Sequence, residues 1–157
     1  MDLYLAVKTV HIVSAMLLFG TGLGTAFAMW MAHRRGDVAA IAVVARNVVL
    51  ADWLFTAPAV VVQPITGLWL AAHLGLPLSE PWIAISLGLY VLTGACWLPV
   101  IRLQIKARDL AEATARAGEA LPPAYHRAMR AWFALGWPAF LAVLAILVLM
   151  VAKDSLY

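Results

Sequence analysis

Hydrophobic positions run along this chain in four long stretches, at about 3–32, 49–74, 82–102 and 130–152, with polar positions gathered between them. Each stretch reaches the roughly 20 residues that a helix rising 1.5 Å per residue needs to cross a bilayer. The pattern predicts an all-α membrane protein, a four-transmembrane-helix bundle forming a single integral-membrane domain over 1–157. Pro58 and Pro64 fall inside the second stretch, where they should kink the helix without preventing a span. Asp2 rather than a basic residue precedes the first stretch, which therefore reads as a retained membrane helix and not a cleavable leader. The last inter-span segment begins helical, extends the third span past the bilayer and breaks at Gly118 and Pro122–Pro123.

Composition agrees with this reading. The 157 residues are 65% hydrophobic and 12% charged, against about 45–50% and about 25% in a soluble domain. The net charge of +3 does not point to nucleic acid, because the basic residues sit between the spans, where they set topology. Arg34, Arg35 and Arg46 fall in the first loop and a longer basic series between Arg102 and Arg130 in the third, whereas the middle loop carries only Glu80. This asymmetry predicts cytoplasmic basic loops, both termini outside, and a multi-pass protein of a bacterial cytoplasmic (inner) membrane. The seven tryptophans, Trp132 among them, read as an interfacial belt. Cys96 is the single cysteine, which excludes an intrachain disulfide and multi-cysteine metal patterns.

Polar residues within the spans carry the candidate chemistry. At 100° per residue, His11, Ala15, Leu18, Gly22 and Thr25 share one face of the first span, and Gly20, Gly24 and Ala28 form a small-xxx-small row opposite. In the second span Asp52, Thr56 and Thr66 fall within about 60° of Gln63, with His73 further round. Such a stripe should face the bundle interior. Lys8, His11, Gln63, Thr66 and His73 thus define a candidate outer pocket, and Gly22 leaves space for another helix or the flat face of a porphyrin. Haem asks for a histidine nitrogen, an apolar slot and basic or hydroxyl groups near its propionates. His11 is the candidate ligand and His73 a weaker one; the alternatives for His11 are a proton relay or a hydrogen bond across helices. At the other end, Asp52 is expected to pair with Arg46 or Arg102 or to take up a proton, with Gln104 just beyond Arg102. His33 and His126 read as loop or interface residues outside the site.

The stretches "YLAVKTVHIVSAMLLFGTGLGTAFAMW", "DWLFTAPAVVVQPITGLWL" and "WLPVIRLQI" resemble a family of uncharacterised bacterial four-span integral-membrane proteins, a domain of unknown function, over nearly the whole chain. That resemblance implies the fold and no reaction. The first span also resembles the start of the HemJ-type haem-containing protoporphyrinogen oxidases, with their tyrosine, lysine and histidine. This second resemblance implies a haem-ligand role for His11 and a nearby charge role for Lys8.

Two functions follow. One is a haem b-binding membrane redox protein, carrying electrons to or from a quinone or oxidising protoporphyrinogen. The other is a non-enzymatic membrane subunit or small transporter whose polar stripe packs helices or relays protons, with Pro58 and Pro64 bracketing Gln63 as in discontinuous transporter helices. Besides the lipid bilayer, a homo-oligomer or partner membrane subunit is expected, and no nucleic acid. The sequence has no nucleophile elbow, compact zinc motif or nucleotide loop, which removes the common hydrolase classes.

Overall fold

A computed structural model describes residues 2–152, and these fold as long helices: α1 Leu3–Arg35, α2 Val38–Ala51, a π-helical turn Asp52–Thr56, α3 Ala57–His73, α4 Pro81–Ala117 and α5 Pro123–Ala152. α2, the π-turn and α3 run on as one helix, so the chain has four helices long and apolar enough to cross a membrane among the described residues. The four expected spans are present, but their ends differ. The second helix starts at Val38, not near residue 49, because Gly36 and Asp37 suffice to reverse the chain. Gly36 closes α1 at φ 73°, a left-handed conformation that glycine adopts freely. The Asp37 carboxylate then caps α2, accepting from the N–H groups of Ala39 at 3.0 Å and Ala40 at 3.2 Å. Likewise α5 begins at Pro123, directly after the proline break. The third helix runs past its apolar stretch to Ala117 and ends at Gly118, φ 67°.

These helices exceed the hydrocarbon thickness: 37 residues in α4 make about 55 Å against roughly 30 Å. The excess lies at the end carrying the 36–37 and 118–122 connections, here termed the basic end for its arginines. The buried core is there too. Ile41, Ala45 and Val48 of α2 recur at spacings of four and three, as do Val100, Gln104, Ala107 and Ala111 of α4, and Tyr125, Ala128, Met129 and Trp132 of α5 close on them. Alanine at the seam lets α4 and α5 pack closely along their length. Towards the opposite, terminal end the bundle divides into an α1–α3 pair and an α4–α5 pair. The row Gly20, Gly24 and Ala28 is exposed, with nothing within 4 Å of a Cβ built on either glycine, so it does not form the internal helix contact its spacing suggests.

Two prolines shape the second helix. Pro58 has no N–H, and in the turn before it Ala57 N–H bonds the Asp52 carbonyl, one residue further back than in an α-helix. This extra residue keeps the buried line continuous: Ile41, Ala45, Val48, Asp52, Thr56 and Ala59 all face inward. Pro64 leaves the Val60 carbonyl without its helical donor, and the Tyr90 hydroxyl of α4 donates to it instead.

This pairing predicts a coupled stability effect. Tyr90→Phe should cost about 1–2 kcal/mol by stranding a carbonyl in the span. In a Pro64→Ala background, where the substituted residue supplies a backbone N–H to the Val60 carbonyl, the same change should cost under about 0.5 kcal/mol. Unfolding of the four proteins in mild detergent measures the coupling; equal costs in both backgrounds would refute it.

Candidate functional site

The polar stripe of the second helix meets its neighbours at two levels. Nearer the terminal end, α3 is tied to α1. His11 Nδ1 stands 2.8 Å from Thr66 Oγ1 and Nε2 stands 3.2 Å from Gln63 Nε2. The directions of these bonds follow from the donor inventory. Thr66 spends its single hydrogen on the Val62 carbonyl at 2.8 Å, so it accepts from His11 Nδ1–H. His11 Nε2, then unprotonated, accepts from the Gln63 amide. Gln63 Oε1 in turn faces the hydroxyl of Ser14, which is 4% exposed and whose one hydrogen is shared between Gln63 Oε1 and the His11 carbonyl at 2.9 Å. The result is one directed chain, Ser14 to Gln63 to His11 to Thr66 to backbone, in which each donor has an acceptor.

Close approach of the two helices makes this possible. A Cβ on Gly67 would lie 3.0 Å from His11 Cε1, so glycine lets the imidazole edge sit against α3 where a larger residue would require it to shift by a few tenths of an ångström. The space at the histidine is therefore supplied by Gly67, a residue that the sequence reading passed over. Gly22, the expected source of space, is exposed, with nothing within 4 Å of its Cβ position.

The remaining pocket candidates do not converge on His11. The Lys8 ammonium sits 5.6 Å from the Tyr4 ring centroid, on an exposed side chain. His73 is exposed, its ring stacked on Trp69 at 4.9 Å and on Tyr4 at 5.4 Å. It stands six residues beyond Gly67, about 9 Å along the helix, so His11 and His73 lie at different levels and do not face one iron between them. An Nδ1–H bond such as that to Thr66 is what orients a metal-ligating histidine. Yet Gln63 occupies Nε2 and α3 covers the adjacent ring edge, so in this arrangement the residues do not fit a haem face.

The second level lies nearer the basic end. Asp52 opens the π-turn and is 9% exposed. Its partner is neither Arg46 nor Arg102, both of which are exposed, but Gln104 of α4, whose Nε2 donates to Asp52 Oδ2 at 2.5 Å. Gln104 is held from its other side by α5: Trp132 Nε1 donates to Gln104 Oε1 at 3.2 Å. The expected ion pair is thus replaced by a hydrogen-bond relay across three helices, because the basic side chains at this end are exposed while the helix seam brings an amide to the carboxyl. Trp132, assigned by sequence to the interfacial belt, is 7% exposed and belongs to this network. Thr56, one turn along from Asp52, is equally buried, and its hydroxyl has no partner.

Fold and site together define a polytopic all-α membrane protein with two intramembrane polar clusters on one helix. The chain belongs to the family of predicted integral membrane proteins DUF2269, which it matches over residues 5–154. No curated protein and no solved structure matches it.

The contrast between the two glycines is testable. Gly67→Ala should destabilise the protein by about 1–3 kcal/mol, since the added methyl must displace His11 from Gln63 and Thr66. Gly22→Ala should change stability by less than about 1 kcal/mol, with its gain in helix propensity. Thermal unfolding in detergent checks both, and equal effects at the two positions would contradict the placement of His11.

Proposed function

We propose that this protein is a non-enzymatic membrane protein of the transport class: a four-helix subunit, acting as an oligomer or beside a partner subunit, whose intramembrane polar stripe carries its function. In this reading the basic end faces the cytoplasm and both termini lie outside, as the arginine distribution favours. The observation that carries it is the second helix itself. It contains Pro58, Pro64 and a π-turn, and its inner line holds buried Asp52 and Thr56 and half-buried Gln63 and Thr66. The helix is unbroken, but a π-turn and prolines set among polar residues mark the points where membrane helices carry functional sites. Polar groups in a span are costly and are kept where they bind or relay something.

The haem-based reading, with quinone or protoporphyrinogen as its partner, asks His11 to give up Gln63 and α1 to part from α3. Its support is the likeness of the first span, and the geometry at His11 favours the transport reading over it.

Haem content separates the two. Protein purified in detergent from cells with ample haem supply should give no more than trace haem in a pyridine haemochrome assay, and reconstituted into liposomes it should carry ion flux under an applied potential. Near-stoichiometric haem that is lost in His11→Ala would overturn the proposal and restore the redox reading.

A further inference from the structure

Asp52 poses a charge problem. It sits inside an apolar span, nine-tenths buried, where an ionised carboxylate without a cation is strongly disfavoured. Among the described residues it makes no ion pair. The helices packed on the π-turn bring few titratable groups: α1 has none between His11 and His33, α3 none before His73, and α2 only the exposed Arg46, while α4 presents Trp97, Ile101 and Gln104, and α5 presents Trp132 through Gln104. The charged groups nearest along the chain, Arg46 and Arg102, are both exposed.

The hydrogen-bond network says which oxygen is free. An indole N–H only donates, so Trp132 fixes the orientation of the Gln104 amide, and Gln104 must give its own N–H to Oδ2. Oδ2 is therefore an acceptor. Oδ1 takes no hydrogen bond from a described residue. Asp52 is one of the residues around a small cleft between the π-turn and α4, shared with Trp53, Ala57, Trp97, Ile101 and Gln104, whose lining is mainly apolar and whose volume is about that of one water. Two further polar atoms stand ready nearby: Trp97 Nε1, buried and unpartnered on this cleft, and the unpartnered Thr56 hydroxyl one turn along the same inner line.

We propose that Asp52 is a proton-binding site, its carboxyl taking up a proton at Oδ1 from water in the cleft and returning it there. The step is the transfer of a proton from hydronium to carboxylate, leaving carboxylic acid and water, with no change of oxidation state. A neutral amide on Oδ2 holds the carboxyl in place without cancelling its charge, so loading and unloading switch a full charge inside the bundle. The π-turn puts that switch at the loosened point of the helix, ahead of Pro58. This rests on the transport reading and names its ion as the proton.

Infrared difference spectroscopy of the full chain in lipid nanodiscs, stepped through pH, tests it. Wild-type protein should show a protonated-carboxyl C=O band that titrates, and Asp52→Asn should lack that band. Gln104→Leu keeps the carboxyl but removes the donor to Oδ2, which destabilises the charged form. Its carboxyl C=O band should persist but move to higher frequency, since the carbonyl oxygen Oδ2 has lost its hydrogen bond, a result that does not depend on Asp52→Asn folding well. In liposomes under a potassium diffusion potential, Asp52→Asn should lower proton uptake at least about tenfold. Identical spectra for wild type and Asp52→Asn overturn the proposal, as does a clear wild-type proton uptake that the substitution leaves undiminished. A titrating band that Asp52→Asn removes, without any ion flux in liposomes, supports the site while the transport reading falls.

Discussion

A polar side chain placed in hydrocarbon has no water to fall back on, and this one constraint organises the bundle. The second helix carries Asp52, Gln63 and Thr66 into the membrane, and each finds its partner on a different helix or on a neighbour that already touches one. Without hydrophobic pressure to bring helices together in lipid, such bonds and close backbone contacts decide which helices are neighbours. The second helix is consequently the hub. It joins α1 through His11 and Ser14, α4 through Tyr90 and Gln104, and α5 through Gln104 and Trp132.

The two ends obey this constraint differently. At the basic end the helices project beyond the apolar layer, and an alanine-rich seam packs them as in a small soluble bundle, with Ile41, Ala107, Ala111 and Tyr125 fully enclosed. At the terminal end Ser14, Ala71 and Ile83 are among the few buried residues, and the helix pairs are held by single contacts such as Phe19 on Phe140 at 5.3 Å. Together with the Tyr90 bond to the Val60 carbonyl, these few contacts join the α1–α3 and α4–α5 pairs where the compact end does not reach. The His11 chain lies on the looser side of the molecule and Asp52 towards the tighter side.

Much of the architecture is legible in the sequence, and the reasons for the misses are local. Four apolar runs give four helices because length and hydropathy are read directly from composition. Sequence reading starts the second helix too late because arginines suggest a loop, although Gly36 followed by Asp37 is a helix stop followed by a helix cap. The inward stripe is legible from helical phase. Its partners are not, since Gln104 and Trp132 acquire their roles only when α4 and α5 are docked on the second helix. Gly67 could have been found beside Thr66 as the residue that leaves room for a large neighbour. Gly22 satisfies the phase of His11 equally well, and periodicity alone cannot tell which glycine faces a partner. The DUF2269 match covers the same span as the fold and leaves the chemistry to the residues.

Proline placement links the two polar levels. A regular α-helix from Val38 to His73 would satisfy its own backbone and could carry Asp52 only as a buried charge at a rigid point. Pro58 removes that option: the turn before it takes one more residue, and the carboxyl emerges at the widened turn with Thr56 still on the inner side. Pro64, half a dozen residues on, acts differently: the helix stays regular, and the Val60 carbonyl that it frees recruits Tyr90 of α4. Both prolines occur where the stripe is polar. A helix that served only to fill space would gain stability by losing them, since an interior proline costs about 3 kcal/mol. Their presence within the stripe is explained if the second helix must shift between two arrangements of its hydrogen bonds, with Tyr90 and Gln104 holding α4 to it on either side of the breaks.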